Sequence, residues 1–305
     1  MRNIDLESLH IFKAVVDHGG ITKAAAYLNR VQSNITTRVK NLEERLGVKL
    51  FQRHGGKLVL SAEGSVLLVY AERLLHLSSE AESALRTGAP RGTLRIGTME
   101  STAAARLSPL LAHYHQTYPD VQMELVSGTS GALLGKIQRF DIEAAFVAAP
   151  GTEPFPGNEL ESQEAFVEEL MLIMPKNTPA FKTPKDLQKR TVIAFATGCT
   201  YRRILEDWLS MSEIVPERVL ELGSYHAIVA CVAAGSGIAI MPRSVLEVVH
   251  AENTVTAIAL PKKIGHVKTF LVWRKAHQSV ALDALRADLA HLTQQRAGTD
   301  KNTSV

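Results

Sequence analysis

Between Leu9 and Leu60 the chain reads as two short helices, a tight turn and a basic hairpin, and that succession leaves few folds open. Ile35, Val39, Leu42 and Leu46 recur at spacings of four, three and four, which places them on one inward stripe of a helix opening at Ser33. The rest of that helix carries Asn34, Thr36, Thr37, Arg38, Lys40 and Asn41. Before it, Ile21 to Leu28 reads as a short helix with Thr22 as its candidate N-cap, and its alanines leave room for another helix to cross closely. Asn29-Arg30-Val31-Gln32 is the connecting turn. Amides, hydroxyls and cations hydrogen-bond base edges and phosphates, so this pair predicts a helix-turn-helix whose second helix enters the major groove.

The following segment supports the same reading. Lys49 to Arg53 and Lys57 to Leu60 are short strand patterns around His54-Gly55-Gly56, a hairpin signal. Arg53 and Lys57 flank its turn, as on a wing that rests on a nucleic-acid backbone. A helical trio with an amphipathic third helix occurs in many proteins; the wing and the charge favour DNA. Residues 1–65 hold ten Lys/Arg against six Asp/Glu, whereas residues 91–305 hold 22 of each, so the positive excess sits at the reading end. The candidate DNA-contacting residues are Thr22, Gln32, Ser33, Asn34, Thr36, Thr37, Arg38, Arg53 and Lys57.

Residues 1 to about 64 resemble the winged helix-turn-helix of LysR-type transcriptional regulators. The resemblance is carried by Leu9, Phe12, Ala14-Val15, Gly20 before Thr22, Ala24-Ala25, Leu28, Gln32, Leu42-Glu43, Leu46-Gly47, Leu50-Phe51, Arg53, Leu60-Ser61 and Gly64. The family often has a Ser-Arg pair in the middle of the reading helix; here Thr36-Thr37 stands there, with Arg38 next, so the family's base preferences do not carry over.

From Ala62 to Arg86 the pattern is a long helix, with Ser61 as N-cap and apolar residues Val66, Leu67, Val69, Tyr70, Leu74, Leu77, Ala81, Ala84 and Leu85 on more than one side. Such a helix must pack against something, and the resemblance implies a second copy of the chain, in a homodimer or homotetramer. Thr87 to Gly92 breaks it and predicts a hinge. Beyond, strands and helices alternate, which predicts parallel sheets covered by helices. Expected strands include Leu94–Gly97, Val121–Val126, Ala144–Val147, Leu170–Met174, Val192–Phe195, Val219–Leu222, Gly237–Met241 and Phe270–Trp273, with one helix after the first strand running to about Gln116. RIG, the Tyr118-Pro119 stop and AAGSGIAIMP resemble the effector region of the same regulators, built like a small periplasmic binding protein. The expected fold is therefore an all-α winged helix-turn-helix with a long linker helix, followed by a two-lobed α/β effector domain. Its divisions are 1–61, 62–90 and 91–305, with lobe I about 91–164 and 267–296, lobe II about 165–266, and a disordered tail at 297–305.

Ligands of open α/β sheets bind beyond the carboxyl ends of strands, at helix N-termini. Three loops qualify, at residues 98–102, 127–131 and 196–203, and they offer Ser101, Thr102, Thr129, Ser130, Thr197, Cys199, Tyr201 and Arg202 as effector-binding candidates. Small hydroxyls, free amides and a cation suggest an anionic or carboxylate-bearing effector; taken singly, each Ser or Thr reads equally well as a helix cap. Arg202 and Arg203 are adjacent and cannot both point inward.

Other function classes fit less well. Two cysteines, Cys199 and Cys231, are too few and too far apart for a disulfide framework or a zinc cluster; Cys199 in a loop allows a thiol-based redox regulator as the alternative. His113-Tyr114-His115 diverge on a helix, so no metal and no cofactor is expected. Gly235-Ser236-Gly237 precedes a strand, the wrong context for a dinucleotide loop. No Ser-His-Asp order or paired-carboxylate motif points to an enzyme. A transport solute-binding protein would suit the C-terminal region alone, but the basic N-terminal segment argues against it. The start lacks a signal-peptide core and no apolar run approaches 18 residues, so the expected location is cytoplasmic, without membrane contact. The partners implied are double-stranded promoter DNA, a small-molecule effector and, for an activator, RNA polymerase.

Overall fold

The computed structural model describes residues 4–55, 57–85, 88–149, 159–176, 178, 191–277 and 279–302, with backbone alone at 57, 83–84 and 295–302. Two compact units divide at Leu85/Arg86. In the first, α1 (Leu6–Asp17) starts at Asp5, whose side chain accepts from the Ser8 amide at 2.7 Å. That bond above all, with the Ser8 hydroxyl and Arg45, holds the Asp5 carboxyl down at about 2.

Helix α2 (Ile21–Tyr27) is capped differently from the sequence expectation. Its N-cap is Gly20, at φ 145°, after Gly19 at φ 67°; Thr22 lies inside the helix and is exposed. Only glycine enters that backbone region easily, so backbone freedom replaces side-chain capping at this corner. Helix α3 (Gln32–Leu46) likewise begins one residue earlier than expected, after Val31, and ends on left-handed Gly47. Ile35, Val39 and Leu42 are buried, the first two against Ile11, Val15, Ala24 and Ala25. Leu42 joins Leu9, Phe12, Leu50 and Ala71, with Leu46 half-buried beside them. Each fully buried side chain of this size stabilises by about 1.5–3 kcal/mol.

Strands β1 (Phe51–His54) and β2 (Lys57–Leu60) form the hairpin, in a register from Phe51↔Leu60 to His54↔Lys57. Glu43, buried under it, accepts from Lys49 Nζ at 2.7 Å and from the Leu50 amide at 2.9 Å. Burial pushes its carboxyl up, but those two donors and the Phe51 amide outweigh it and hold the group below the usual range. Ser61 caps α4 (Ala62–Ala84) by accepting from the Gly64 amide at 2.8 Å. A Cβ on Gly64 would stand 2.2 Å from the Leu50 carbonyl oxygen, so the helix start and the hairpin approach as closely as a bare backbone allows.

The second unit has the two-lobed α/β architecture, but its main sheet is mixed where the alternating pattern suggested parallel pairing throughout. One contains β3 (Gly92–Thr98), β4 (Val121–Ser127), β5 (Ala144–Ala149), β6 (Leu160–Pro175), β9 (Ala239–Pro242), β10 (Val255–Ala259) and β11 (His266–Arg274). β3 pairs in parallel with β4 and β5, whereas β11 pairs antiparallel with β5 and β6. β6 changes partners along its length: Leu160–Glu169 pair β11, and its end pairs β9 and β10. This one 16-residue strand thus serves both lobes. Its polar first half (Glu161, Ser162, Gln163, Glu164) hid it from an apolar pattern that picked out only Leu170–Met174. β7 (Thr191–Ala194) and β8 (Arg218–Glu221) form a separate parallel pair.

Helices α5 (Glu100–Ala105), α6 (Leu107–Thr117), α7 (Ser130–Gln138), α8 (Thr200–Met211), α9 (Tyr225–Ala233), α10 (Arg243–Val248) and α11 (Lys262–Gly265) cover the sheets. α5 and α6 were expected as one helix. They break at Arg106 because Pro109 lacks an amide donor and its ring would clash with the carbonyl four residues back; Pro109 is instead accommodated in the first turn of α6. α12 (Val280–Asn302) runs through residues expected to be a tail, and 303–305 lie outside the described residues. Arg86, the last residue of the expected long helix, and Thr87 of the expected hinge also lie outside them. No helix among the described residues is long and apolar enough to cross a membrane.

Candidate functional site

On the first unit, α3 turns Gln32, Ser33, Asn34, Thr36 and Thr37 to solvent, because its apolar stripe is consumed by α1 and α2. The Thr36 hydroxyl donates to the Gln32 carbonyl at 2.9 Å, a bond that fixes its rotamer. Arg38 is half-buried and ion-paired with Glu7 at 3.1 Å; Arg30, which sequence reading passed over, meets the same carboxylate at 2.8 Å. Exposed pairs of this kind contribute at most about 1 kcal/mol, so a phosphate can displace Glu7 from either arginine. Arg53 is exposed on β1, and Thr22 is exposed on α2. The Lys57 backbone lies in β2, and its side chain is outside the described residues. Tyr27 and Val31 are exposed apolar groups beside the turn, legible in the sequence as apolar residues off the inward stripe.

The second unit contains a cavity of about 600 Å³. Four loops line it, each leaving the carboxyl end of a strand and opening a helix. Met99, Glu100 and Ser101 follow β3; Ser127 to Ser130 follow β4; Phe195, Ala196, Cys199 and Tyr201 follow β7; Glu221, Leu222, Gly223 and Tyr225 follow β8. The β4 and β7 loops touch where the Gly131 amide donates to the Gly198 carbonyl at 3.3 Å. Gly198, at φ 93°, leaves no room for a side chain, since a Cβ would stand 2.9 Å from Thr129 Oγ1.

Of the eight residues named from the sequence, Ser101, Thr129, Ser130, Cys199 and Tyr201 line this cavity. Thr129 is also the N-cap of α7, and the Ser130 hydroxyl accepts from the Ala148 amide at 3.2 Å. Thr102, Thr197 and Arg202 are not in the lining. Thr102 is 1% exposed, one helical step past Ser101 and so rotated into the protein. Thr197 is exposed. Arg202 folds onto Glu206 one turn along its own helix (2.7 Å), and also meets Glu221 at 2.8 Å and the Phe195 carbonyl at 3.0 Å. The β8 loop was missed altogether, although the strand-end rule that located the other three applies equally to it.

Hydroxyls gather beside the cavity. Those of Ser101, Tyr201 and Thr269 are buried neighbours, and the Tyr201 phenol interacts with both of the others. Burial drives the Tyr201 and Tyr225 phenols well above their ordinary range, so both stay neutral donors. It also raises the Cys199 thiol, against the formation of a thiolate there. Glu100 accepts from the Tyr225 amide at 3.3 Å, and desolvation raises its carboxyl. Beneath them Arg106 forks onto the buried Glu168 of β6 at 2.7 and 2.9 Å, and Ser244 of α10 donates to the same carboxylate at 2.7 Å.

Both units match known families. Residues 6–65 match the bacterial regulatory helix-turn-helix proteins of the lysR family, and residues 87–294 match the LysR substrate binding domain. The chain is 36% identical over 298 residues to YusT of Bacillus subtilis (strain 168), an uncharacterized HTH-type transcriptional regulator, covering 97% of this chain and 98% of that one. It is 34% identical over 290 residues to the HTH-type transcriptional regulator GltR of the same organism, covering 95% and 96%. Among solved structures, full-length CbnR with its target DNA has a TM-score of 0.66 at 22% identity, covering 94% of this chain and 99% of that one. Full-length OxyR C199D from Pseudomonas aeruginosa has a TM-score of 0.67 at 18% identity, covering 94% of each. A basic winged helix-turn-helix and a two-lobed unit with a cavity at its strand ends, matched together along nearly the whole chain, place this protein in the LysR family of DNA-binding transcriptional regulators.

Proposed function

We propose that this regulator binds promoter DNA as a homodimer or homotetramer in the cytoplasm, and that a small carboxylate-bearing effector in the cavity at the strand ends modulates its binding or activation. It acts by binding rather than turnover. The observation that carries the effector reading is the cavity lining: the starts of α7, α8 and α9 converge there with the Ser101 and Tyr201 hydroxyls, an environment that accepts negative charge. In the DNA-reading unit, α3 lies in the major groove. Gln32, Ser33, Asn34, Thr36 and Thr37 meet base edges, and Thr22, Arg38, Arg53 and Lys57 meet phosphates.

Pairing of chains is supported by α4. One side of it, with Leu67, Leu68, Ala71 and Leu75, packs on the first unit's core. Val66 (61% exposed), Tyr70, Leu74 and Leu77 remain as an apolar stripe in solvent at four-, four- and three-residue steps. A second copy of the same helix suits it. The expected divisions at 61, 90, 164 and 266 serve as working boundaries, and an activator would touch RNA polymerase as well. Closure of the two lobes on a ligand alters the regulator only through contacts that differ between closed and open states, and coupling of about 1–3 kcal/mol is enough.

The test uses the full-length protein. Genomic duplex fragments selected at low salt should share two half-sites related by a dyad, and sedimentation should show at least two chains on each. Thr129→Val should blunt the response of the complex to carboxylate metabolites while leaving ligand-free DNA affinity within about twofold. A protein that stays monomeric on DNA, or selects no sequence, refutes the proposal.

A further inference from the structure

The charge of the cavity is unexpected for a site that takes a simple anion. Among the described residues its lining contains two carboxylates, Glu100 and Glu221, and no lysine or arginine. Glu221 is neutralised by Arg202 at 2.8 Å. Glu100 has no lysine or arginine partner among the described residues: its hydrogen bond comes from the Tyr225 amide at 3.3 Å, and its ionisable neighbour is His226, exposed on α9. Aromatic faces stand in the same wall. The Phe195 and Tyr225 rings lie 4.4 Å apart between centroids, tilted by 54°, and Tyr201 joins them in the lining. A carboxylate beside aromatic rings, with no lysine or arginine on it among the described residues, is the environment an ammonium group prefers, through a charged hydrogen bond and attraction to the ring faces.

The rest of the lining has the opposite preference. Helices α7, α8 and α9, of nine, twelve and nine residues, begin at it, and their first amides carry partial positive charge. The Ser101 and Tyr201 hydroxyls, each on a side chain 3% exposed, interact with one another in the same wall and can turn their hydrogens to a ligand. These groups fit a carboxylate.

We propose that the cavity is built for a zwitterion, a small molecule carrying both a carboxylate and a protonated amine, with Glu100 receiving the ammonium and the helix starts with Ser101 and Tyr201 receiving the carboxylate. The assignment rests on the effector reading above and deepens it. A plain dicarboxylate would set a second anion against Glu100 in a partly desolvated site. An amine without a carboxylate would leave the hydroxyls and helix starts unmatched. The volume of about 600 Å³ lies in the range of small-molecule sites, and Met99, Phe195 and Leu222 supply an apolar wall for a side chain.

The test compares matched pairs that differ only in the amine: L-phenylalanine with 3-phenylpropanoate, L-leucine with 4-methylpentanoate, and L-glutamate with glutarate. Each is titrated into the full-length protein by calorimetry. At least one amino acid should bind, and its desamino partner should bind roughly ten- to a hundredfold more weakly, the worth of one charged hydrogen bond. Glu100→Gln, which keeps an acceptor for the Tyr225 amide, should bring the amino acid down to the level of its partner and leave the partner unchanged or tighter. Desamino acids that bind as well as the amino acids, or a preference undiminished in Glu100→Gln, overturn the zwitterion assignment and leave the carboxylate reading standing. If no member of any pair binds, both are overturned. The comparison in the unaltered protein decides the matter even if Glu100→Gln fails to fold.

Discussion

Tyr201→Phe should push stability and effector binding in opposite directions. The Tyr201 ring belongs to the core cluster containing Val192, Ala194, Leu205 and Ile238, so the substitution preserves its apolar contacts. What it removes is a buried hydroxyl that meets only the Ser101 and Thr269 hydroxyls among the described residues, in poor geometry. An unsatisfied buried polar group costs roughly 1–3 kcal/mol. The neighbouring Ser101 and Thr269 hydroxyls recover part of that by electrostatic attraction, so the expected gain on removal is at the low end, about 1 kcal/mol. For a unit of this size that raises the melting temperature by about 2–4 °C. Binding responds with the other sign. A donor to the effector carboxylate is lost, and a hydrogen bond to a charged group contributes about 1.5–3 kcal/mol, a loss of roughly ten- to a hundredfold in affinity. Scanning calorimetry of the full-length protein, with and without the tightest-binding carboxylate of the panel above, reads both effects, the unit that shifts with ligand being the effector unit. A Tyr201→Phe protein whose effector unit melts several degrees lower would show that the hydroxyl is bonded in the free protein. Unchanged affinity would show that it does not face the ligand. Either result refutes the reasoning.

Other substitutions test the DNA-reading unit. Arg53→Ala should weaken binding to all duplexes and reduce the salt slope by about 0.9, whereas Gln32→Ala should change sequence preference by about 1–3 kcal/mol at the contacted pair; anisotropy titrations over a range of salt separate the two roles. Asp5→Ala should cost about 1 kcal/mol at neutral pH through loss of the α1 cap, as read by urea unfolding. The Asp5 carboxyl sits at about 2 when folded against 3.8 ordinarily, so its contribution is present above pH 4 and lost as pH falls towards 2. Wild type and variant should therefore converge in acid, and a gap that persists at pH 2 would mean the cap is not electrostatic. Gly64→Ala should destabilise the same unit by about 1–3 kcal/mol or more, because its Cβ meets a backbone oxygen that can move only with the whole hairpin; an unchanged urea midpoint would show that α4 and the hairpin separate freely.

The two units differ in how much of them could be read from residues alone. In the first, every decisive signal is local. The Ile35-Val39-Leu42-Leu46 stripe, the two glycines before α2, the hairpin between Phe51 and Leu60, and Ser61 ahead of α4 each act within about one turn or one strand pair, so periodicity and turn chemistry suffice. Small errors arose where backbone competed with side chain, as when Gly20 at φ 145° displaced Thr22 as the cap. In the second unit the pattern could name strands but not their partners. Sheet order depends on contacts between residues far apart in the chain, such as Trp273 with Ala144 and Glu161, and β6 hides its first half behind polar residues, of which Glu161 and Glu164 are exposed and Gln163 bonds the Arg286 carbonyl. The cavity follows the same logic. Proximity of loops to strand ends is written locally, so the general place of a ligand is visible in the residues. Whether Ser101 rather than Thr102 faces it, whether Arg202 bonds a ligand or Glu206 and Glu221, and that Glu100 lines it beside the Phe195 and Tyr225 rings all depend on the angle at which each helix meets the sheet. Sequence alone thus determined the local elements and the class of the molecule, because those depend on interactions between near neighbours. Tertiary structure decided the sheet pairing and the chemistry of the site, because those are set by side chains that only packing brings together.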